Sequence, residues 1–220
     1  MQIADHIEHI ALKPDIVVAD IEAVCNDAVE YKLRSVCVPP LFVKIAKTLL
    51  ADTGITVSTV IGFPFGYSAI EAKVAEIVLA IIDEADELDL VINTSAVKNG
   101  DWQFLANEIN TIMPIVRGRG KKLAVVLEAA LFIDQEIITA CDMYGAAGVD
   151  AIQTGTGFTD DVLVTEHVQL TRKHLANAIE IKVATAVKSY SFAAELIKAG
   201  ANRVCCHNGP KLIQQALQQN

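Results

Sequence analysis

Eight short apolar runs alternate with helix-patterned segments along the whole of this 220-residue sequence, and that alternation limits the fold more than any motif does. The runs fall at 7–12, 35–38, 55–61, 88–92, 123–127, 149–153, 179–183 and 203–206. Between them apolar residues recur three and four apart, as at Ile21, Val24, Cys25 and Ala28 within 15–31, and again over 41–50 and 69–82. Strands that are apolar on both faces and are separated by helices must lie in a parallel sheet covered on both sides. Eight such units, the last closing with a helix over 211–218, predict a single-domain (β/α)8 TIM barrel spanning 1–220. An open doubly wound sheet is the competitor. It would carry a glycine-rich turn after its first strand, where this chain has Leu12-Lys13-Pro14-Asp15. Helix starts are expected at Ser68 (with Glu71 completing a capping box), Asp101, Asp134 and Ser189 or Ser191.

Composition narrows the function. With 52% apolar and 20% charged residues, the chain reads as a well-packed soluble protein. A net charge of −9 argues against nucleic acid or an anionic membrane surface as partner, so neither is expected. No apolar run reaches the ~20 residues that a membrane span needs. No basic segment followed by an apolar core stands at the start. The five cysteines show no Cys-x-x-Cys spacing, which fits a reducing, cytoplasmic setting with thiols used as small hydrophobes. Cys205, Cys206 and His207 are a weak metal set, because neighbouring strand residues face opposite ways. No metal and no cofactor is expected.

In a barrel the chemistry gathers at the C-terminal ends of the strands. Those ends carry Glu8, Cys37, Asp89, Glu128, Gln153, Lys182, His207 and Asn208. Residues 149–158 form a short apolar strand ending in polar Gln153, then a loop, Thr154-Gly155-Thr156-Gly157-Phe158, whose glycines allow close approach to a ligand. Asp89 and Lys182 interrupt otherwise apolar strands, which costs free energy unless each finds a partner. They read either as a structural ion pair or as a catalytic carboxylate facing a perturbed lysine. Glu128 reads equally as an internal hydrogen-bonding group or a catalytic one, and His207 as a solvated loop histidine.

The segments Ile7-Glu8-His9-Ile10-Ala11-Leu12-Lys13-Pro14-Asp15, Ser35-Val36-Cys37-Val38 and Thr59-Val60-Ile61-Gly62-Phe63-Pro64-Phe65-Gly66 carry a family likeness. So do Glu87-Leu88-Asp89-Leu90-Val91-Ile92-Asn93, Thr154-Gly155-Thr156-Gly157-Phe158 and Ala199-Gly200-Ala201. In this order the chain resembles the deoxyribose-phosphate aldolases, class I aldolases on this barrel, over essentially its whole length. The resemblance implies reversible cleavage of 2-deoxyribose 5-phosphate to glyceraldehyde 3-phosphate and acetaldehyde through a lysine Schiff base. It places the proton-relaying aspartate at Asp89 and the second lysine at Lys182. The nucleophilic lysine falls at Gln153, and a further lysine common in the family falls at Ala124. Glu8 and Ile10 stand where the family has an aspartate and a threonine. Thr185-Ala186 replaces the phosphate-binding glycine pair, and Cys206-His207-Asn208-Gly209 replaces a serine-rich turn.

An amide nitrogen cannot form a Schiff base, so Gln153 cannot stand in for lysine. Lys182 remains, but at an ordinary lysine pKa only about 4 molecules in 10,000 are neutral at pH 7. Two readings follow. One is a lyase using Lys182 as the amine, Asp89 for proton transfer and Gln153 to orient the carbonyl. The other is a binding or regulatory barrel from which the Schiff-base chemistry has been lost. In both, Glu8, Cys37, Glu128, Thr156, Gly157, Phe158, Thr185, Ala186, His207 and Asn208 are the expected ligand-facing residues. The expected partners are a small molecule, either a phosphorylated sugar or an aldehyde, and a second copy in a homodimer.

Overall fold

The computed structural model describes residues 2–158 and 165–218. Its strands are β1 (Ile7–Ile10), β2 (Ser35–Val38), β3 (Thr56–Ile61), β4 (Glu87–Val91), β5 (Lys122–Val126), β6 (Ala151–Gln153), β7 (Glu180–Ala184) and β8 (Arg203–Cys206). They are parallel and close in chain order, with β8 pairing back onto β1. The expected single-domain (β/α)8 barrel is the fold observed, and each strand lies within a residue or two of its expected place. Around it stand α1 (Val18–Glu30), α2 (Val43–Leu49), α3 (Ile70–Ile82), α4 (Thr94–Lys98), α5 (Trp102–Arg117), α6 (Asp134–Ala147), α7 (Thr165–His174), α8 (Tyr190–Lys198) and α9 (Gly209–Gln218). Among the described residues no helix is long and apolar enough to cross a membrane.

Helix starts follow local hydrogen bonding, with one departure. The Asp101 carboxylate accepts from Phe104 N at 3.0 Å, and the Ser189 hydroxyl from Phe192 N at 3.2 Å. Asp134 is the first residue of α6, whose opening amide at Ile133 donates to Glu136 at 2.9 Å. Ser68 does not cap α3. Ala69 is extended (φ −59°, ψ 152°) and takes the cap position, which leaves the serine one residue too early to reach the first-turn amides. At the other end of α6, Gly148 adopts φ 73°, the left-handed stop that glycine meets without a Cβ penalty.

The period of two along each strand sorts the side chains into two environments. Ile7, Val36, Leu88, Leu90, Ile152, Ile181 and Val204 face the helices and are wholly buried. The apolar core is thus a layer between barrel and helices, and truncating one of these residues, as in Leu88→Ala, costs about 2–5 kcal/mol. The alternate residues point into the barrel and are largely polar. At the N-terminal rim the residue before a strand repeatedly satisfies the amide of the previous strand: Asp86 takes Val57 N at 2.9 Å, Asp150 takes Leu123 N at 2.9 Å, and Asn202 takes Ile181 N at 2.8 Å. These contacts hold the strands in register, so that the side chains at the opposite, C-terminal rim converge on one place.

Candidate functional site

Inside the barrel the inward positions of β1, β4, β7 and β8 bring five charged groups together. Lys182 Nζ lies 2.7 Å from Glu87 Oε1, 2.7 Å from Asp89 Oδ1 and 2.9 Å from Glu8 Oε1. The Arg203 guanidinium reaches Glu8 Oε2 at 3.1 Å and Glu87 Oε2 at 2.7 Å. It also reaches Glu180 at 2.9 Å, and Glu180 in turn meets Arg34. Glu8 accepts from the Ser35 hydroxyl at 2.9 Å and the Cys205 thiol at 3.2 Å. Three fully buried carboxylates thus face two buried cations. The excess of negative charge decides the electrostatics.

Burial alone would lower the Lys182 pKa, but Asp89, Glu8 and Glu87 outweigh it and hold it well above the ordinary lysine value. Burial pushes Glu8 and Glu87 up, and Lys182 followed by Arg203 more than reverses this, so both sit below the usual carboxylate range. Asp89 goes the other way. Burial first, then Glu8 and Glu87, overcome its contact with Lys182 and push it up to about 7. The cluster therefore stores its spare proton at Asp89, beside an ammonium that stays charged. Burial and the neighbouring Asp89, at 3.7 Å, likewise push the Cys37 thiol well up, so it is not a ready nucleophile. Glu8, Cys37 and Asp89 each bring one ligand atom to within 4.8 Å of the others, a grouping able to hold a cation. The Lys182 ammonium is the cation in contact with both carboxylates of that grouping.

Gln153 pairs with Lys182 in register across β6 and β7. Its Nε2 donates to the Gly155 carbonyl at 2.9 Å, and its Oε1 lies 3.9 Å from the Cys205 thiol. The amide is thereby tied into its own loop. Glu128 accepts from the Thr156 backbone N at 2.9 Å and from the Thr156 hydroxyl, which folds the loop onto the end of β5. A Cβ on Gly155 would stand 3.1 Å from Glu128 Oε2, so a residue without a side chain suits that turn. Ala124 lies on β5 between Asp89 and Ala151, buried and apolar.

Above this cluster a cavity of about 520 Å³ opens toward β1 and α1. Of the residues expected to face a ligand, Thr156, Gly157, Phe158, Thr185, Ala186 and His207 line it. Glu8, Cys37, Asp89 and Lys182 do not; they lie beneath, engaged with one another, and Glu128 and Gln153 are off the cavity too, tied to Thr156 and to Gly155. Asn208 is also off the cavity, its Nδ2 donating to Val187 O at 2.9 Å. Cys205 bridges the levels, lining the cavity while touching Glu8, and Thr156 does so too, lining it while bonded to Glu128. The cavity reaches past the barrel mouth to Asp20 and Asp27 on α1, and to His9, whose ring contacts Cys206 O at 3.1 Å and Asp27 at 3.3 Å.

Sequence reasoning missed Glu87, Arg203 and Glu180 as site members. The signal was present: Glu87 and Glu180 each stand two residues before a recognised polar site residue, Asp89 and Lys182, and so share its face.

No family model matches the chain. Curated relatives do. A deoxyribose-phosphate aldolase of Caldanaerobacter subterraneus subsp. tengcongensis is 38% identical over 98% of this chain and 94% of its own. The chain belongs to the deoxyribose-phosphate aldolase family. A relative of that name from Thermococcus gammatolerans is 37% identical, covering 98% of this chain and 97% of its own. Among solved structures, the aldolase QR15 superposes with a TM-score of 0.92 at 30% identity, covering 99% and 96% of the two chains. A tetrameric deoxyribose phosphate aldolase from Aeropyrum pernix shares the fold, with a TM-score of 0.90 at 24% identity over 99% and 92%. The family's barrel therefore accounts for the whole described chain.

Proposed function

We propose that this member of the family has given up Schiff-base aldol chemistry and keeps the barrel mouth to bind a small sugar- or aldehyde-like molecule non-covalently. The observation that carries the reading is the setting of Lys182. Its Nζ is buried and lies 2.7–2.9 Å from three carboxylates. Schiff-base formation needs the neutral amine, and every carboxylate in the cluster favours the ammonium. By resemblance the family's nucleophile belongs at Gln153, whose amide nitrogen is unreactive toward carbonyls and is spent on Gly155 O. Apolar Ala124, where the resemblance puts another lysine, agrees with this reading. The alternative, a lyase with Lys182 as amine, would have to deprotonate an ammonium that Asp89, Glu8 and Glu87 hold charged.

Borohydride reduction after incubation with acetaldehyde or 2-deoxyribose 5-phosphate tests the proposal directly. Intact mass is expected to show no adduct on the wild-type chain; a reduced adduct mapped to Lys182 would establish the alternative. Gln153→Lys is expected to restore trapping with acetaldehyde, because Lys182 beside the new amine would lower its pKa.

A further inference from the structure

A helix that covers a barrel buries one stripe and ordinarily turns polar residues to water. On α3 the buried stripe is present, with Ile77 and Ala80 facing the core, but the outward stripe is apolar as well. Ala72, Ala75, Val78, Leu79 and Ile82 are exposed, the last two by 62% and 66%. The neighbouring α5 packs against α3 and turns Gln103, Asn107, Asn110 and Thr111 outward. No charged residue is exposed between 72 and 82 or between 103 and 114. The charges these stretches do contain are drawn inward: Lys73 pairs with Glu108, and the Glu76 carboxylate accepts from Gly62 N at 2.7 Å. An apolar centre with a neutral polar border and no charge has the composition of a protein interface rather than of open surface.

The arrangement of large and small residues says what would fit it. Positions 72, 75, 79 and 82 recur at the three–four spacing of a helix-packing seam. The N-terminal half of that seam is small, Ala72 and Ala75, and the C-terminal half is large, Leu79 and Ile82. Laid antiparallel on a second α3, with a two-fold axis level with residue 77, Leu79 meets the partner's Ala75 and Ile82 meets the partner's Ala72. Both contacts occur twice, which is the form of an isologous interface. Charge agrees. A second copy also carries −9, and only a face free of charge brings two such bodies together without like charges opposed at its centre. Size agrees too. The two helices, 13 and 16 residues long, run for about 20 and 24 Å side by side, a face on the scale of the ~800 Å² that each partner of a stable dimer buries.

We propose that the outward face of α3, bordered by α5, docks a second copy of this chain in an antiparallel, two-fold contact. This gives the homodimer expected from the sequence a definite surface, on the side of the barrel, and it stands independently of what the barrel mouth binds. At the ends of the seam Glu71 approaches the partner's Asp83, so the geometry also sets the sign of the salt effect: screening tightens the contact.

Sedimentation velocity of the full chain over about 1 to 100 µM tests it. A dimer is expected, with dissociation weakened by added salt. Leu79→Glu and Ala75→Lys are each expected to raise its dissociation constant by at least about a hundredfold, because a charge then enters the seam twice. Mixed together, these two variants are expected to pair with one another, since one of the two repeated contacts becomes an ammonium against a carboxylate and the other returns to leucine on alanine. Leu217→Glu, on α9 and 71% exposed, should leave the dimer unchanged. All these side chains are exposed, so the variants are expected to unfold at the wild-type temperature, which shows that lost association is not lost folding. A wild-type chain that stays monomeric, a dimer that Leu79→Glu leaves intact, or two variants that fail to pair would each overturn the proposal.

Discussion

Lys73 on α3 and Lys182 on β7 are both fully buried, yet they meet different surroundings. Lys73 sits in the apolar layer and binds one carboxylate, Glu108 Oε1 at 2.6 Å, together with Val91 O at 2.8 Å. Lys182 sits inside the barrel among three. The first arrangement is a balanced pair sealed by hydrocarbon, and burial still pushes the Glu108 pKa upward despite its partner. The second is unbalanced and shares its charges over four strands. A balanced pair replaces what it desolvates and needs no further role. An unbalanced cluster keeps a group near its titration point, and here that group is Asp89. The contrast separates a lysine in a balanced pair from one in an unbalanced cluster inside the barrel.

Removing each lysine should sharpen the contrast. Lys182→Met leaves three buried carboxylates with only Arg203, and a loss of about 3–5 kcal/mol is expected in urea unfolding at pH 7.5. Lys73→Met should cost less, about 1–3 kcal/mol, because Glu108, already raised, can take up a proton instead. Equal losses would show that the two sites are energetically alike and break the comparison.

The next effect is one of slope. Asp89 titrates near 7 when folded and near 3.8 when unfolded, so between these values the folded state holds the extra proton. Its contribution is therefore present at low pH and lost as pH rises through 7. Asp89→Asn should gain stability relative to wild type on going from pH 5 to pH 8, measured by paired unfolding curves; a difference that is flat with pH would place the spare proton elsewhere. The smallest effect belongs to the layer outside the barrel. Tyr144 OH and Glu108 Oε2 are buried with no hydrogen-bond partner among the described residues. Tyr144→Phe is accordingly expected to be neutral or stabilising by up to about 1 kcal/mol, read as a shift in thermal midpoint.

Much of this was legible in the sequence for physical reasons. Apolar runs such as 88–92 and 149–153 must be buried on both faces, and their alternation with helices leaves few ways to arrange them. Asp89 and Lys182 stood out because charge inside an apolar strand needs a partner, and they proved to be each other's. Less legible was the level at which each residue lies. Glu8, Cys37 and Glu128 belong to strand ends in the same way as Thr185 and His207, but only the three-dimensional closure of the barrel shows that the first group is locked below and the second lines the cavity. The failed cap at Ser68 has the same origin on a smaller scale. One extended residue at Ala69 shifts the helix start, and composition does not encode that dihedral.

The distribution of charge along the chain has a consequence for folding. The buried acids Glu8, Glu87 and Asp89 all come from β1 to β4, and the buried cations Lys182 and Arg203 both come from β7 and β8. Apart from Arg203, which also meets Glu180 within its own half, these groups find their charge partners across the divide. A half-assembled sheet would carry like charges facing one another in a closing cavity, so partial closure is disfavoured and the two halves should form together. Separately expressed halves, for the same reason, should find each other as oppositely charged complements.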